Sequence, residues 1–219
     1  DISKDFLLSS AESLMDDYPW LDVYAACVDY SQPVRLPADM ISPAQKLGFF
    51  PGSSIGNFSP QEAQLFLQGV RNTLGKDGAM LIGVDLQKDK QVLEAAYNDC
   101  QNVTAAFNFN ILHHINRVLG TQFNVNYFEH KAIYSEAKGR IEMHLISTMD
   151  QIVKISDANN PEGESKNITF KTGESIHTEN SYKYSKQSFT DLIAGAGFEV
   201  RECWSDDKDY FAMFYLHCC

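Results

Sequence analysis

Positive charge is what this chain has least of. Across 219 residues, 18 lysines and arginines stand against 29 aspartates and glutamates, a formal net charge of -11. Such a surface repels a phosphate backbone, so no nucleic-acid partner is expected. No run of about 18 apolar residues occurs and no secretory leader pattern opens the chain, so no membrane partner is expected and a cytoplasmic location is. The five cysteines (Cys27, Cys100, Cys203, Cys218, Cys219) lack paired metal spacing. Their odd number argues for reduced thiols. His113 and His114 are adjacent on a predicted helix and point in different directions, so no metal site is expected. No Gly-Lys-Ser/Thr is present where a P-loop would need it. Repeats and low-complexity segments are absent. The chain also lacks an initial methionine: it opens on Asp1-Ile2-Ser3, and is expected to begin inside a domain.

What is present centres on residues 49–62, Phe-Phe-Pro-Gly-Ser-Ser-Ile-Gly-Asn-Phe-Ser-Pro-Gln-Glu. Leu47, Phe49 and Phe50 read as the end of a buried strand. Gly52, Ser53, Ser54 and Gly56 form a small-residue loop that lets a ligand approach the backbone. Ser59 reads as an N-cap, Pro60 suits the first helical position, and Glu62 completes a capping box. In an open parallel sheet, ligands bind outside the carboxyl ends of the strands. Asn57 carries a donor and an acceptor at that point. A tight turn without a ligand is the alternative reading.

Taken in order, the pattern predicts a helix from Ser3 to Tyr18, with Ile2 and Leu7 as a hydrophobic staple and Phe6, Leu7, Leu14 and Met15 as its apolar face. Residues 21–28 alternate as a strand ending at Asp29. A proline-bearing loop follows (Pro33, Pro37, Pro43), then a strand over 46–50, the central loop, a helix over 60–74 closed by Gly75, and a strand over 79–84. That alternation argues for a parallel, doubly wound α/β sheet. The middle differs: helices over 90–99 and 104–119, then strands over 131–135, 140–148, 151–155, 168–170 and 174–181, with a polar turn at Asn159-Asn160-Pro161-Glu162-Gly163. A helix over 186–196 and strands over 198–204 and 210–217 close the chain. We expect three parts: residues 1–86 and 182–219 as a Rossmann-like domain, and 87–181 as an inserted α+β lobe that binds substrate.

Several side chains could carry chemistry. Asp1 and Asp29 each stand at a predicted strand end, where one carboxylate can accept ribose hydroxyls and another an adenine amine. Turn or helix-capping aspartates are the alternative. Glu179 and Ser181, two apart on a strand, share one face and can hold two polar atoms of a small ring, or simply face solvent. Met143 sits between Ile141 and Leu145 and reads as core. Tyr97 closes a helix stripe with Val92 and Ala96.

Five collinear motifs now stand out: Pro51-Gly52-Ser53-Ser54-Ile55-Gly56-Asn57-Phe58, Ala96-Tyr97-Asn98-Asp99, Val103-Thr104-Ala105-Ala106-Phe107-Asn108, Arg140-Ile141-Glu142-Met143 and Thr178-Glu179-Asn180-Ser181. Together they resemble the histidine-specific S-adenosylmethionine-dependent methyltransferases. The resemblance implies a class I methyltransferase sheet whose first strand and Gly-rich cofactor loop are missing here. It implies Nα-methylation of L-histidine to trimethylhistidine (hercynine), the first step of ergothioneine biosynthesis, by a monomer using S-adenosyl-L-methionine. By the same resemblance Asp1, Asp29 and Tyr30 bind the cofactor. Gly52, Ser54 and Asn57 meet the substrate's amino-acid end, and Tyr97 its carboxylate. Glu179 and Ser181 hold the imidazole against Met143. A tryptophan derivative or another aromatic amino acid is the alternative substrate, and a non-catalytic histidine-binding fragment the alternative role.

Overall fold

The computed structural model describes residues 1–32, 45–155 and 166–219. The elements in order are α1 (Lys4–Asp17), β1 (Leu47–Phe50), α2 (Pro60–Leu74), β2 (Ala79–Asp85), α3 (Lys90–Tyr97), α4 (Val103–Leu119), β3 (Phe128–Ser135), β4 (Arg140–Ser147), β5 (Gln151–Ile155), β6 (Lys166–Phe170), β7 (Ser175–Tyr182), α5 (Lys186–Gly195), β8 (Phe198–Ser205) and β9 (Phe211–Cys218). Local chemistry explains several boundaries. Ser59 and Glu62 form the expected capping box: the Ser59 N–H donates to the Glu62 carboxylate at 2.8 Å, and the Glu62 N–H to Ser59 Oγ at 3.3 Å. Gly75 ends α2 at φ 82°, a backbone state that glycine reaches without strain.

One sheet has the order β1-β2-β9-β8. β1 and β2 are parallel, whereas β9 runs antiparallel between β2 and β8. Its core comes from alternating side chains of β2 and β9 (Met80, Ile82, Val84; Ala212, Phe214, Leu216), closed by Leu67 of α2 and by Phe189 and Ile193 of α5. Apart from Ala212, each such side chain contributes about 1.5–3 kcal/mol on full burial. A second sheet, β3-β4-β7, is antiparallel throughout. Ile141 and Met143 of β4 join Ala132 of β3 and Leu93 of α3 in one apolar cluster, with Tyr97 packed against it. Leu145, Leu112, Phe128, Val153 and Phe170 form another. β5 and β6 pair as a separate ribbon.

Four expectations are corrected. Residues 21–28 form no strand. A strand requires a neighbouring ladder, and here only two backbone bonds join this segment to Asp1, from Val28 N–H to the Asp1 carbonyl at 2.9 Å and from the Asp1 amine to the Ala26 carbonyl at 3.2 Å. Asp1 and Asp29 therefore stand beside an extended segment, not at strand ends. α1 forms as expected but buries no residue: Phe6 is 67% exposed, and Ser3 makes no side-chain cap bond. The strand end at the central loop is also less buried than expected, with Leu47 and Phe49 59% and 66% exposed. Phe50 turns inward instead, packing at 5.0 Å on Phe66. Finally, the buried side of α3 runs through Leu93, not Val92 and Ala96. The proline-bearing loop (Pro33, Pro37, Pro43) and the turn at Asn159-Asn160-Pro161-Glu162-Gly163 lie outside the described residues.

Candidate active site

The central loop is tied to two strands at once. Ser53 adopts a left-handed φ of 57°, and its Oγ accepts the Asp85 N–H at the end of β2 at 2.8 Å. Ser54–Asn57 then make a single 3-10 turn. Gly56 is what lets this turn reach β7. A Cβ there would meet the Tyr182 carbonyl at 2.8 Å and Ser181 Oγ at 3.5 Å. Gly52 stands exposed beside it. Asn57 is also exposed, and its side chain makes no hydrogen bond among the described residues.

Three of the motifs serve to place Tyr97 and Glu179. The Asn98 side chain imitates a strand, accepting the Ala132 N–H and donating to the Ala132 carbonyl, each at 2.9 Å. This fixes the end of α3 against β3. Asp99 accepts the N–H groups of Thr104 and Val103 at the start of α4, and these bonds hold its carboxyl down to about 2. Asn108 is fully buried and joins α4 to β3 and β4 through His130 and the His144 carbonyl. On β7, the Thr178 hydroxyl bonds the Met143 carbonyl at 3.0 Å beside a bulge, where Met143 pairs with Glu179.

These supports bring four polar side chains into one buried network. The Tyr97 hydroxyl donates to Ser181 Oγ at 2.8 Å. The Lys183 ammonium donates to the Tyr97 oxygen at 2.8 Å and to Ser181 Oγ at 2.9 Å. Lys183, only 3% exposed, also pairs with Asp85 Oδ2 at 2.7 Å. Glu179 lies on the same face of β7 as Ser181, and Lys183 follows just past the end of the strand. Its carboxylate makes no hydrogen bond among the described residues; burial raises its pKa, and Lys183 partly offsets that. Met143, 1% exposed, stands across the ladder from it.

Sequence reasoning missed Lys183, Asp85 and Ser53. The period-two run Glu179, Ser181, Lys183 was the available signal for the first. A lysine in such a run reads as solvated until the opposing aspartate is known.

The residues assigned to the cofactor lie on the segment beside α1. Asp1 Oδ1 accepts the Ser3 N–H at 2.7 Å, and Asp29 Oδ1 accepts both the N–H and the hydroxyl of Ser31. Both carboxylates are exposed, and the Ser31 bonds lower the Asp29 pKa. Tyr30 packs edge-on against Phe50 at 5.9 Å. It lines an apolar groove of about 920 Å³ with Phe49, Phe50, Phe66 and Leu74. None of Tyr97, Glu179, Ser181 and Lys183 borders that groove.

Elsewhere on the β4–β7 pair, Glu142 and His144 of β4 and His177 of β7 place ligand-type atoms within 4.8 Å of one another. The two imidazoles stack at 4.7 Å and 21°, so their lone pairs do not converge on one point. Glu142 Oε1 is held by Arg140 Nε at 2.9 Å and by Lys138 at 3.0 Å. Those bonds bring the Glu142 carboxyl down to about 2. Both ring nitrogens of His144 are buried without a hydrogen bond among the described residues, and Nε2 stands 3.7 Å from Glu142 Oε2. Burial, then the His177 ring, lowers its pKa below 6.5. The folded state therefore binds fewer protons here than the unfolded chain. This contribution is complete above the unfolded pKa and disappears as pH falls through the folded value. Thermal unfolding at pH 7.5 and 5.5 should show a lower midpoint at 5.5, and His144→Gln should shrink that difference. An unchanged difference would reject His144 as its source. Glu142 acts in a separate window, losing its contribution only from about pH 4.5 toward 2.

The parallel β1–β2 pair, with antiparallel β9 inserted before β8, defines the Rossmann-like sheet of a class I methyltransferase. The chain belongs to the histidine-specific, S-adenosylmethionine-dependent methyltransferase family, whose model matches residues 1–218. It is 31% identical over 214 residues to a histidine N-alpha-methyltransferase of Mycolicibacterium smegmatis, covering 97% of this chain and 64% of that protein. It is 33% identical over 162 residues to ergothioneine biosynthesis protein 1 of Neurospora crassa, covering 73% of this chain and 17% of that protein. A solved S-adenosylmethionine-dependent methyltransferase from Clostridium acetobutylicum aligns with a TM-score of 0.49 at 13% identity, over 100% of this chain and 73% of that one. The chain thus spans less than two thirds of the length of its mycobacterial relative.

Proposed function

We propose that the complete protein methylates the α-amine of L-histidine, in successive rounds to trimethylhistidine, as the first step of ergothioneine formation. The observation that carries this reading is the joining of Tyr97, Ser181, Lys183 and Asp85 beside Glu179, at the point where the Gly56–Asn57 turn docks on β7. S-adenosylmethionine supplies a methyl already activated on sulfonium, so the protein's task is to orient the amine. Asp1 and Asp29 each keep one carboxylate oxygen outside their turn bonds, which suits ribose hydroxyls and the adenine amine, with Tyr30 beside them. Gly52, Ser54 and Asn57 border the amino-acid end, and Asn57 has an unspent amide for it.

Tyr97 binds the carboxylate by turning its proton away from Ser181. Glu179 and Ser181 hold the ring against Met143. Each transfer would release S-adenosylhomocysteine and leave an ammonium that loses a proton to solvent before the second and third rounds, and anchoring at both ends leaves the nitrogen free to turn its lone pair to the next methyl. In this reading residues 87–181 supply the lobe that closes over the amino acid, and the protein acts as a cytoplasmic monomer. Among the described residues, no helix is long and apolar enough to cross a membrane.

The full-length protein, incubated with S-adenosylmethionine and L-histidine, should accumulate the mass of trimethylhistidine. Glu179→Ala should raise the KM for histidine about 10- to 100-fold, the value of one hydrogen bond to a charged group. Unchanged KM would remove Glu179 from the ring site. Turnover of tryptophan in place of histidine would reject the substrate.

A further inference from the structure

The Tyr97 and Ser181 oxygens lie 2.8 Å apart, a hydrogen-bond distance, so one of the two hydroxyls places its proton between them. Lys183 donates to both oxygens, at 2.8 and 2.9 Å. An ammonium has three donors and no lone pair, so these contacts have one possible direction, and its third N–H goes to Asp85. Lys183 thus takes one lone pair of each hydroxyl and leaves two arrangements of the shared proton. In the first, Tyr97 supplies it, Ser181 Oγ accepts twice, and the Ser181 O–H is left for a ligand. In the second, Tyr97 gives its proton to a carboxylate, Ser181 donates to the Tyr97 oxygen, and Ser181 offers a ligand a lone pair. Two residues before Ser181 on the same face of β7, the part-buried Glu179 carboxylate accepts in either case, and it makes no hydrogen bond among the described residues. The other charged and titratable groups around the pair are Asp85 at the end of β2, Lys88 beyond it and Tyr134 on β3.

The two arrangements suit different rings. A neutral imidazole presents one N–H and one lone pair, which match Glu179 and the Ser181 O–H of the first. An imidazolium presents two N–H groups, which match Glu179 and the Ser181 lone pair of the second. The mismatched ring would set donor against donor or lone pair against lone pair, and a buried polar group left unpaired is costly. We propose that Tyr97 and Ser181 form a relay through which the substrate's carboxylate sets the protonation state of its ring: a ligand with the carboxylate is held as imidazolium, and one without it as neutral imidazole. This rests on histidine as the substrate and on Tyr97 meeting its carboxylate. The second arrangement also pairs the Glu179 carboxylate with a cation, as a buried charge requires.

The test is the nitrogen NMR spectrum of ring-labelled L-histidine bound to the full-length protein at pH 8, where only about 3% of the free ring is imidazolium. Bound histidine should show two protonated, pyrrole-type nitrogens. Ring-labelled histamine, which keeps the ring and amine but has no carboxylate, should show one pyrrole-type and one pyridine-type nitrogen in the same protein. In Tyr97→Phe the Ser181 O–H has no phenol to bond and returns to the ring, so bound histidine should be neutral there too. A neutral histidine ring in the wild type overturns the proposal. An imidazolium with histamine, or in Tyr97→Phe, overturns it as well, because Glu179 alone would then set the ring's state. An unchanged histidine Kd in Tyr97→Phe would remove Tyr97 from the carboxylate and the relay with it. Failure of the wild type to methylate histidine, read by product mass, would instead overturn the substrate on which the proposal rests.

Discussion

Lys183→Met should lower the unfolding free energy by about 3 kcal/mol, because removing one partner of a buried ion pair strands the other. Asp85 keeps Lys88, and the side chains of Lys183 and Asp85 are 1% and 22% exposed. That residual pairing and exposure hold the expected loss toward the lower end of the usual range. Tyr97 and Ser181 lose their common donor at the same time. Asp85→Asn in the same chain should recover part of the loss, since the stranded carboxylate is gone, while Lys88 loses its ion pair and keeps the Tyr210 ring at 4.8 Å. Urea unfolding of the two variants measures both quantities. A single variant as stable as the wild type would show that Lys183 is not held as described. A double variant less stable than the single one would show that the stranded charge at Asp85 is not the cause.

Gly83→Ala should be at least as damaging, for a steric reason. A Cβ at Gly83 would lie 2.1 Å from the Pro51 carbonyl and 2.6 Å from the Phe211 ring. Both neighbours are fixed, one by the central loop and the other by the ladder between β2 and β9. Overpacking of this kind costs about 1–3 kcal/mol where side chains can shift, and more where backbone must. We expect a loss above about 3 kcal/mol, or no folded product. Gly69→Ala is the control: no atom lies within 4 Å of its Cβ position, inside α2. There alanine should stabilise by up to about 1 kcal/mol through helix propensity. Equal effects at the two positions would refute the close approach of Pro51 to β2.

How much was legible in the sequence depends on whether the signal was local. The Ser59–Glu62 capping box, Gly75 beyond α2 and Gly120 beyond α4 are neighbours in the chain, and each ended or began a helix as read. The alternation of β4 placed Ile141, Met143 and Leu145 inward without any knowledge of what they face. The segment 21–28 alternates equally well but forms no strand. Among the described residues two backbone bonds join it to Asp1 and a third, from Leu21 N–H to the Tyr18 carbonyl, is local, and a ladder cannot be built on these. The exposed faces of Phe6, Leu14 and Met15 on α1 follow the same rule, because amphipathicity predicts a buried face only where a surface exists to cover it.

The sequence by itself determined the order of the helices and strands outside residues 21–28, the capping of α2, the small-residue loop, the acidic surface and the family. Those properties are written in residues a few positions apart, or in composition. Only the tertiary structure decided that Ser53 closes the loop onto Asp85, that Gly56 admits β7, and that Lys183 stands between Tyr97, Ser181 and Asp85. Asp85 and Lys183 are 98 positions apart, one at the end of β2 and the other just past the end of β7. Whether a lysine is solvated or buried against an aspartate is settled by which strand end lies opposite it, and no local pattern encodes that.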